Sequence, residues 1–368
     1  MGKKIRKIIV IVGPTSSGKS DLAVELARKY SGEIISADSR QIYQDMNLGT
    51  GKVEGRWKEI SNFQFPISNK ISNDKFQIFK KQPYSAGSLF GKKGTDKEVF
   101  VYKNIPHYLI DFVSPKKEYN ISYFKNDCEK LIKKISNKGK TPIICGGTGF
   151  WIRAVVYDQV LPSVKPDQFL RNKLISKTAE ELFQNLGKID PKRAKNIDRK
   201  NKIRLIRAIE IADKLGKVPE IKKGNFKTVE KDGVKIVRLK KNNEIWEFLQ
   251  LGISFSKEEL SERIEERLRL RFKAGMTEEV DKLKKKYNLD WKKIQSFGLA
   301  YFWIPKFLKK EINEAELRRR IFLAEKQYAK RQMTWFKKDE GINWVNKENK
   351  IVIEIAENFL KDRTNKTK

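Results

Sequence analysis

The chain has 368 residues, 39% of them hydrophobic and 11% aromatic, with 80 Lys+Arg against 46 Asp+Glu and a formal net charge of +34. This composition excludes a disordered chain, and the lack of any run of about 18 apolar residues excludes a membrane-spanning helix and leaves no membrane partner. The cationic excess is larger than solubility needs, so nucleic acid is the expected partner, with lysine-rich solvated faces as the competing explanation.

The N-terminal text "MGKKIRKIIVIVG" starts basic and turns apolar, but its apolar part is short and runs straight into glycine. It reads as a first β-strand, not as a signal peptide. "GPTSSGKS" follows: Gly13, Pro14, Thr15, Ser16, Ser17, Gly18, Lys19 and Ser20. It matches G-x-x-x-x-G-K-[ST] between a strand and the helical text "DLAVELARKY". The glycines let backbone N–H groups turn inward on phosphate oxygens, and the helix N-terminus adds its dipole. Lys19 supplies a point charge, and the Ser20 hydroxyl suits Mg²⁺. The motif predicts a di- or triphosphate ligand without saying which reaction follows.

"IISADSRQIY" gives a second strand, expected beside the first, with Asp38 at its carboxyl end, where open α/β sheets bind ligands. The acid could ligate Mg²⁺, take a proton from a nucleophile, or cap the next turn. Residues 49–106 mix Asn, Ser, Lys and Gly with scattered aromatics and read as an inserted lobe without regular elements. "HYLIDFV" is a third short strand and contains His107, the only histidine. A Ser-His-Asp or Cys-His hydrolase would have to use it. Cys128 and Cys145 show no metal-ligand spacing, which argues against zinc, and so few cysteines fit a reducing cytoplasm. "ISYFKNDCEKLIKKISNKG" is a helix with a glycine stop. "KTPIICGGTGFWIRAVV" is a strand, a turn and a helix start, in which Thr148 either aids a leaving oxygen or merely occupies a glycine turn.

From about residue 160 to 340 the text is mainly helical, with a strand at "EIWEFLQLGISF". In "SKEELSERIEERLRLRFKAGM", Leu260, Ile264, Leu268 and Phe272 form the apolar stripe. Arg263 and Arg267 either approach the diphosphate or RNA, or pair with Glu259, Glu262 or Glu266. "EAELRRRIFLAEKQYAKRQMTWF" is a helix with a dense basic face, either solvated or bound to RNA. At about 150 residues per domain, two domains are expected. The fold class is α/β: a P-loop NTPase-like parallel sheet with helices on both faces, from residues 1–52 and 105–160, plus a mainly helical second region, residues 161–345. Residues 53–104 are the insertion, and residues 346–368 a frayed tail.

"GPTSSGKS", "IISADSRQIY", "MNLGTGK", "PHYLIDFVSP", "GGTGFW", "IRLIRAIEI" and "AKRQMTWF" occur in that order. Together they closely resemble the tRNA dimethylallyltransferases of bacterial type. The resemblance implies that dimethylallyl diphosphate and Mg²⁺ sit at the P-loop and that the dimethylallyl group passes to N6 of adenosine 37 in the tRNA anticodon stem-loop. An A36-A37-A38 loop reading UNN codons is implied, and a monomer is expected. Asp38 then matches the general base, Thr148 the group near the bridging oxygen, and Lys19 and Ser20 the holders of diphosphate and Mg²⁺. Matching tRNA contacts are Asp38, Ser39, Arg40 and Gln41; Arg171; Ile203, Arg204, Leu205, Ile206 and Arg207; and Lys330, Arg331, Gln332, Met333, Thr334, Trp335, Phe336 and Lys337. Such a base must leave its stack to react, and basic grooves with aromatics grip the loop.

Two departures stand out. The family has a much shorter connection where residues 53–104 lie, and that insertion is expected to be a basic, aromatic-bearing flap on tRNA. In "QSFGLAYFW", residues 295–303, Gly298 is kept but the aromatic and basic residues of the family at the next two positions are missing. The alternatives are a P-loop kinase of a small molecule or nucleotide, which has no use for the basic helical region, and an RNA-binding module with a vestigial P-loop.

Overall fold

A computed structural model describes residues 4–59, 98–346 and 349–361. They fall into two compact units, residues 1–157 with 225–368, and residues 158–224. In the first unit, β1 (Ile5–Val12) is buried along nearly its whole length, as a strand flanked by parallel neighbours must be. It feeds the phosphate loop and α1 (Lys19–Lys29), then β2 (Gly32–Ser36), β3 (Arg56–Glu59), β4 (Glu98–Tyr102) and β5 (Ile105–Tyr108). α2 (Ile121–Asn137), β6 (Thr141–Gly146) and α3 (Gly149–Val156) close this half of the unit.

The second unit holds α4 (Gln168–Ile175), α5 (Ala179–Ile189), α6 (Pro191–Lys195) and α7 (Lys202–Leu215) around Leu174, Leu182, Leu186, Leu205 and Ile209. The chain then rejoins the first unit through β7 (Phe226–Lys231), β8 (Val234–Lys241) and β9 (Glu244–Ile253). After these come α8 (Lys257–Lys273), α9 (Met276–Tyr287), α10 (Trp291–Ser296), α11 (Ala300–Leu308), α12 (Glu314–Phe336), β10 (Ile342–Val345) and α13 (Asn349–Lys361).

The strand order is β3-β4-β5-β2-β6-β1-β9-β8-β7, with β10 beside the end of β9. The centre from β5 to β9 is parallel and both margins are antiparallel hairpins. The α/β class with a parallel sheet is therefore observed, and four details differ from expectation. β6 lies between β1 and β2, so the Asp38 strand does not adjoin the phosphate-loop strand. "HYLIDFV" leaves the sheet at Tyr108, where Leu109 and Asp111 adopt positive φ. The two stems of the expected lobe are the paired strands β3 and β4, which extend the sheet. Most of the proposed flap at residues 53–104, namely residues 60–97, lies outside the described residues.

The fourth difference is that the mainly helical region returns two unexpected strands, β7 and β8, to the first unit beside β9, the strand expected at "EIWEFLQLGISF". The compact helical part is confined to residues 158–224. The expected tail also contributes: α13 buries Val352, Ala356 and Phe359 against the face that holds α1, and Lys7 of β1 donates to the Phe359 carbonyl. The consequence for function is positional. β1, β2 and β6 end side by side, and residues 13–20, 37–41 and 146–149 leave from those ends.

Candidate active site

Among the described residues a cleft of about 990 Å³ opens over these three strand ends, walled by α8 and α12. The phosphate loop has the conformation its glycines allow: Ser16 and Gly18 adopt positive φ, and Gly18 caps α1 with no side-chain hydrogen bond. The first amides of α1 are thus left without a side-chain cap, an arrangement that receives anions. Lys19 donates to the Pro14 carbonyl at 3.0 Å. Burial pulls its pKa below that of an ordinary lysine; Cys145 and Asp38 oppose this and Arg267 adds to it.

Asp38 Oδ1 accepts from the Arg40 and Gln41 N–H groups at 2.9 and 3.3 Å. The capping role is real, and it uses one oxygen only; Oδ2 makes no hydrogen bond among the described residues and lines the cleft with its residue. The Thr148 hydroxyl oxygen accepts from Ser39 N–H at 3.0 Å, which ties the β6 turn to the acid. The glycines of that turn meet three close approaches. A Cβ at Gly146 would lie 2.2 Å from the Ala37 oxygen, one at Gly147 2.2 Å from Gln332 Nε2, and one at Gly149 2.1 Å from the Trp335 ring. Near them, burial followed by the Asp38 charge pushes the Tyr328 phenol upward, so it stays protonated.

The far wall is cationic. Arg263 Nε donates to the Ser16 carbonyl at 2.8 Å. Arg267 reaches Thr15 Oγ1 and Ser16 Oγ at 3.2 and 3.3 Å and the Gly51 carbonyl at 2.8 Å. Of the two expectations for these arginines, the phosphate-loop position is the one observed. Arg271, one turn further along α8, pairs instead with the buried Glu325 of α12.

Sequence reasoning missed two supports. Glu279 accepts from the N–H groups of Asn47, Leu48 and Gly49 and from the Tyr301 hydroxyl, fixing the loop that carries Gly51. Lys52 is buried and donates to Asp111 at 2.6 Å and to the Tyr43 carbonyl at 2.7 Å, so it holds the fold instead of facing a ligand. The acid in "LIDF" and the lysine in "GTGK" were the only available clue to that pair. Phe297, Gly298 and Leu299 of the departing stretch also line the cleft, and Leu299 is held at φ 48.

Burial lowers His107 to about 4 and raises the Cys145 thiol to about 11, so both are neutral near pH 7. His107 meets the Ile105 carbonyl through Nδ1 at 2.9 Å, and among the described residues no hydrolase triad forms around it.

The expected RNA-facing residues divide by burial. In the first unit, the Arg40 guanidinium makes no hydrogen bond or ion pair among the described residues, while the Gln41 side chain donates to the Gly51 carbonyl at 3.2 Å. Lys330, Arg331, Thr334, Trp335 and Lys337 are exposed, and Met333 is half-buried. Gln332 and Phe336 are buried, Phe336 in the core. Trp335 stands edge-on to Phe150, with Arg153 over its ring at 5.7 Å. In the second unit, Ile203 and Arg204 are exposed, but Leu205 and Ile206 face its core. Arg171 and Arg207 both pair with the buried Glu210, at 2.7 and 3.3 Å. Leu205, Ile206 and Phe336 thus carry packing, not accessible contact surface, because the helical period turns them inward.

Comparison with known proteins agrees with these features. The family model described as IPP transferase matches residues 91–339, and one described as isopentenyl transferase matches residues 6–60. A tRNA dimethylallyltransferase of Acetivibrio thermocellus is 33% identical over 345 residues, covering 93% of this chain and 92% of that protein. One of Halothermothrix orenii is 33% identical over 344 residues, covering 92% and 87%. The crystal structure of a tRNA delta(2)-isopentenylpyrophosphate transferase from Staphylococcus epidermidis is 27% identical, with a TM-score of 0.57, covering 98% of this chain and all of that one (100%). A eukaryotic dimethylallyltransferase acting on tRNA shares the fold, with a TM-score of 0.66 at 21% identity, covering 97% of this chain and 80% of that one.

Proposed function

The chain belongs to the IPP transferase family, whose model matches residues 91–339, and from that premise we propose that it transfers the dimethylallyl group of dimethylallyl diphosphate to N6 of adenosine 37 in tRNA. The observation that carries the reading is the convergence on one cleft of a phosphate loop, a carboxylate with one unpaired oxygen and a threonine hydroxyl. The C1–O bond of the donor breaks as the C1–N6 bond forms. The N6 proton goes to Asp38 Oδ2, and diphosphate departs with the bonding electrons. Residues 13–20, Lys19 among them, hold the diphosphate, and an anion there favours the charged lysine against the opposing effect of burial. Arg263 and Arg267, already turned onto the loop, meet the negative charge that grows on the leaving group. Thr148 stands beside Asp38, and its hydroxyl, which donates to Ser39 Oγ at 3.4 Å, turns toward the bridging oxygen when the donor is bound.

The donor set fits Mg²⁺. Ser20 offers one hydroxyl at the cleft, and the remaining ligands of such an ion are water and substrate phosphate, with no need for a carboxylate cluster. When bound, the ion neutralises diphosphate charge. The half-buried Arg40 and the exposed Lys330, Arg331, Trp335 and Lys337 of the first unit, and Ile203 and Arg204 of the second, supply RNA contacts of the kind the net charge of +34 favours. No helix among the described residues is long and apolar enough to cross a membrane. We also infer that the enzyme works in the cytoplasm as a monomer. The test is incubation with labelled dimethylallyl diphosphate, Mg²⁺ and unmodified tRNA, with the product nucleoside identified after digestion. Label on N6 of adenosine 37 is expected. No label, together with ATP-dependent phosphorylation of a small molecule, would replace this reading by a kinase.

A further inference from the structure

Gln332 lies in the basic stretch of α12 but does not behave as an RNA-gripping side chain. It is 6% exposed. Its Oε1 accepts from Thr15 N–H at 2.8 Å, and its Nε2 donates to the Gly147 carbonyl at 2.9 Å. Only this orientation of the amide satisfies both backbone groups. Those groups belong to opposite sides of the reaction. Thr15 lies in the diphosphate loop, next to the Ser16 oxygens that receive Arg263 and Arg267. Gly147 precedes Thr148, whose hydroxyl oxygen holds the backbone beside Asp38. Arg331 and Trp335, the neighbours of Gln332 on the helix, are exposed. A single turn of α12 therefore presents an outer face to solvent and an inner amide to both loops.

We infer that Gln332 is a positioning residue that couples tRNA binding to the diphosphate loop, an inference that rests on the function proposed above. RNA held by the outer cations of α12 fixes the helix, and through one amide the helix fixes the separation of Thr15 from Gly147. Donor cradle and acceptor turn are thereby set together. A carboxylate at this position keeps the acceptor for Thr15 but confronts the Gly147 carbonyl with no donor. A thioether satisfies neither group and leaves two buried backbone groups unpaired. Coupling of this kind is reciprocal: RNA that tightens diphosphate binding is itself tightened by diphosphate.

The experiment measures the affinity of the full chain for inorganic diphosphate with Mg²⁺, with and without saturating anticodon stem-loop, in wild type, Q332E and Q332M. Wild type is expected to bind diphosphate about fivefold or more tightly when RNA is present, and the variants about equally with and without it. Each variant keeps its affinity for either ligand alone and loses kcat with little change in KM for tRNA. Wild-type coupling retained in the variants overturns the inference, as does a wild type that transfers label yet shows no coupling. Loss of tRNA affinity alone also overturns it and makes Gln332 an RNA contact. A wild type that transfers no label sinks the proposed function instead. Circular dichroism and Tm verify folding; should Q332M fail to fold, Q332E, which retains one of the two hydrogen bonds, decides the matter.

Discussion

Two pairs of arginines show how differently the same residue is used. In α8, Arg263 and Arg267 lie one turn apart in a glutamate-rich helix, yet they donate to oxygens of the phosphate loop. In the second unit, Arg171 and Arg207 both close on Glu210, a carboxylate with no exposed side-chain surface. The first pair is charge held ready for an anion that the loop itself lacks. The second pair is largely spent on keeping a buried acid ionised, which would otherwise be costly. A basic residue in a sequence motif thus says little about free charge until its partner is known.

The largest effect that separates catalysis from structure is expected at the Asp38 carboxylate of the first unit. D38N keeps the acceptor for Arg40 and Gln41 N–H but cannot take a proton, so turnover in single-turnover assays should fall by about 10²–10⁴ with the diphosphate Kd unchanged. Equal activity would return Asp38 to a capping role. R267A should lower kcat/KM for dimethylallyl diphosphate by about 10²-fold, with tRNA affinity little altered. A loss confined to tRNA binding would erase the contrast between the two pairs.

R171A should act on stability first. Glu210 keeps Arg207 but loses a partner, at a cost on the order of 1–3 kcal/mol in denaturant unfolding. The slope of log K for tRNA against log salt should fall by no more than about 1. Glu210 also sets a pH signature. Burial raises its pKa, but hydrogen bonds and charge from Arg171, Asp167 N–H and Arg207 outweigh it, so the net shift is downward. Its contribution is therefore complete above the unfolded glutamate value of about 4.3 and fades as pH falls through the lower folded value. E210Q should flatten the unfolding free energy over that acid window; an unchanged slope would mean the pair contributes nothing. The smallest effect, a modest loss of kcat, is expected for G147A, whose new Cβ would lie 2.2 Å from Gln332 Nε2 and must displace it.

What the sequence disclosed follows the range of the interactions. The phosphate loop, the helix from Glu314 to Phe336 and the central strands are local patterns and could be read directly. The β7–β8 and β8–β9 hairpins were hidden by their lysine-rich text, although Asp232-Gly233 and Asn242-Asn243, all at positive φ, are the turn pairs that announce them. α13 carried its apolar stripe at Val352, Ala356 and Phe359 but read as part of a frayed tail. The placement of β6 between β1 and β2, and the reach of Arg267, Glu279 and Gln332 across more than two hundred residues to the loops, have no local signature. Motif order pointed to the RNA-facing segments, but only packing shows which side chains within them face outward.

The central claim is that a phosphate loop here serves cleavage of carbon–oxygen and not phosphorus–oxygen. Dimethylallyl diphosphate carrying ¹⁸O in the bridge between C1 and phosphorus tests it directly, in a reaction with tRNA and Mg²⁺ analysed by mass spectrometry. The account predicts that the isotope leaves with diphosphate while the prenyl carbon appears on N6. Isotope retained on a prenyl alcohol, or on any product bearing a transferred phosphoryl group, would contradict it.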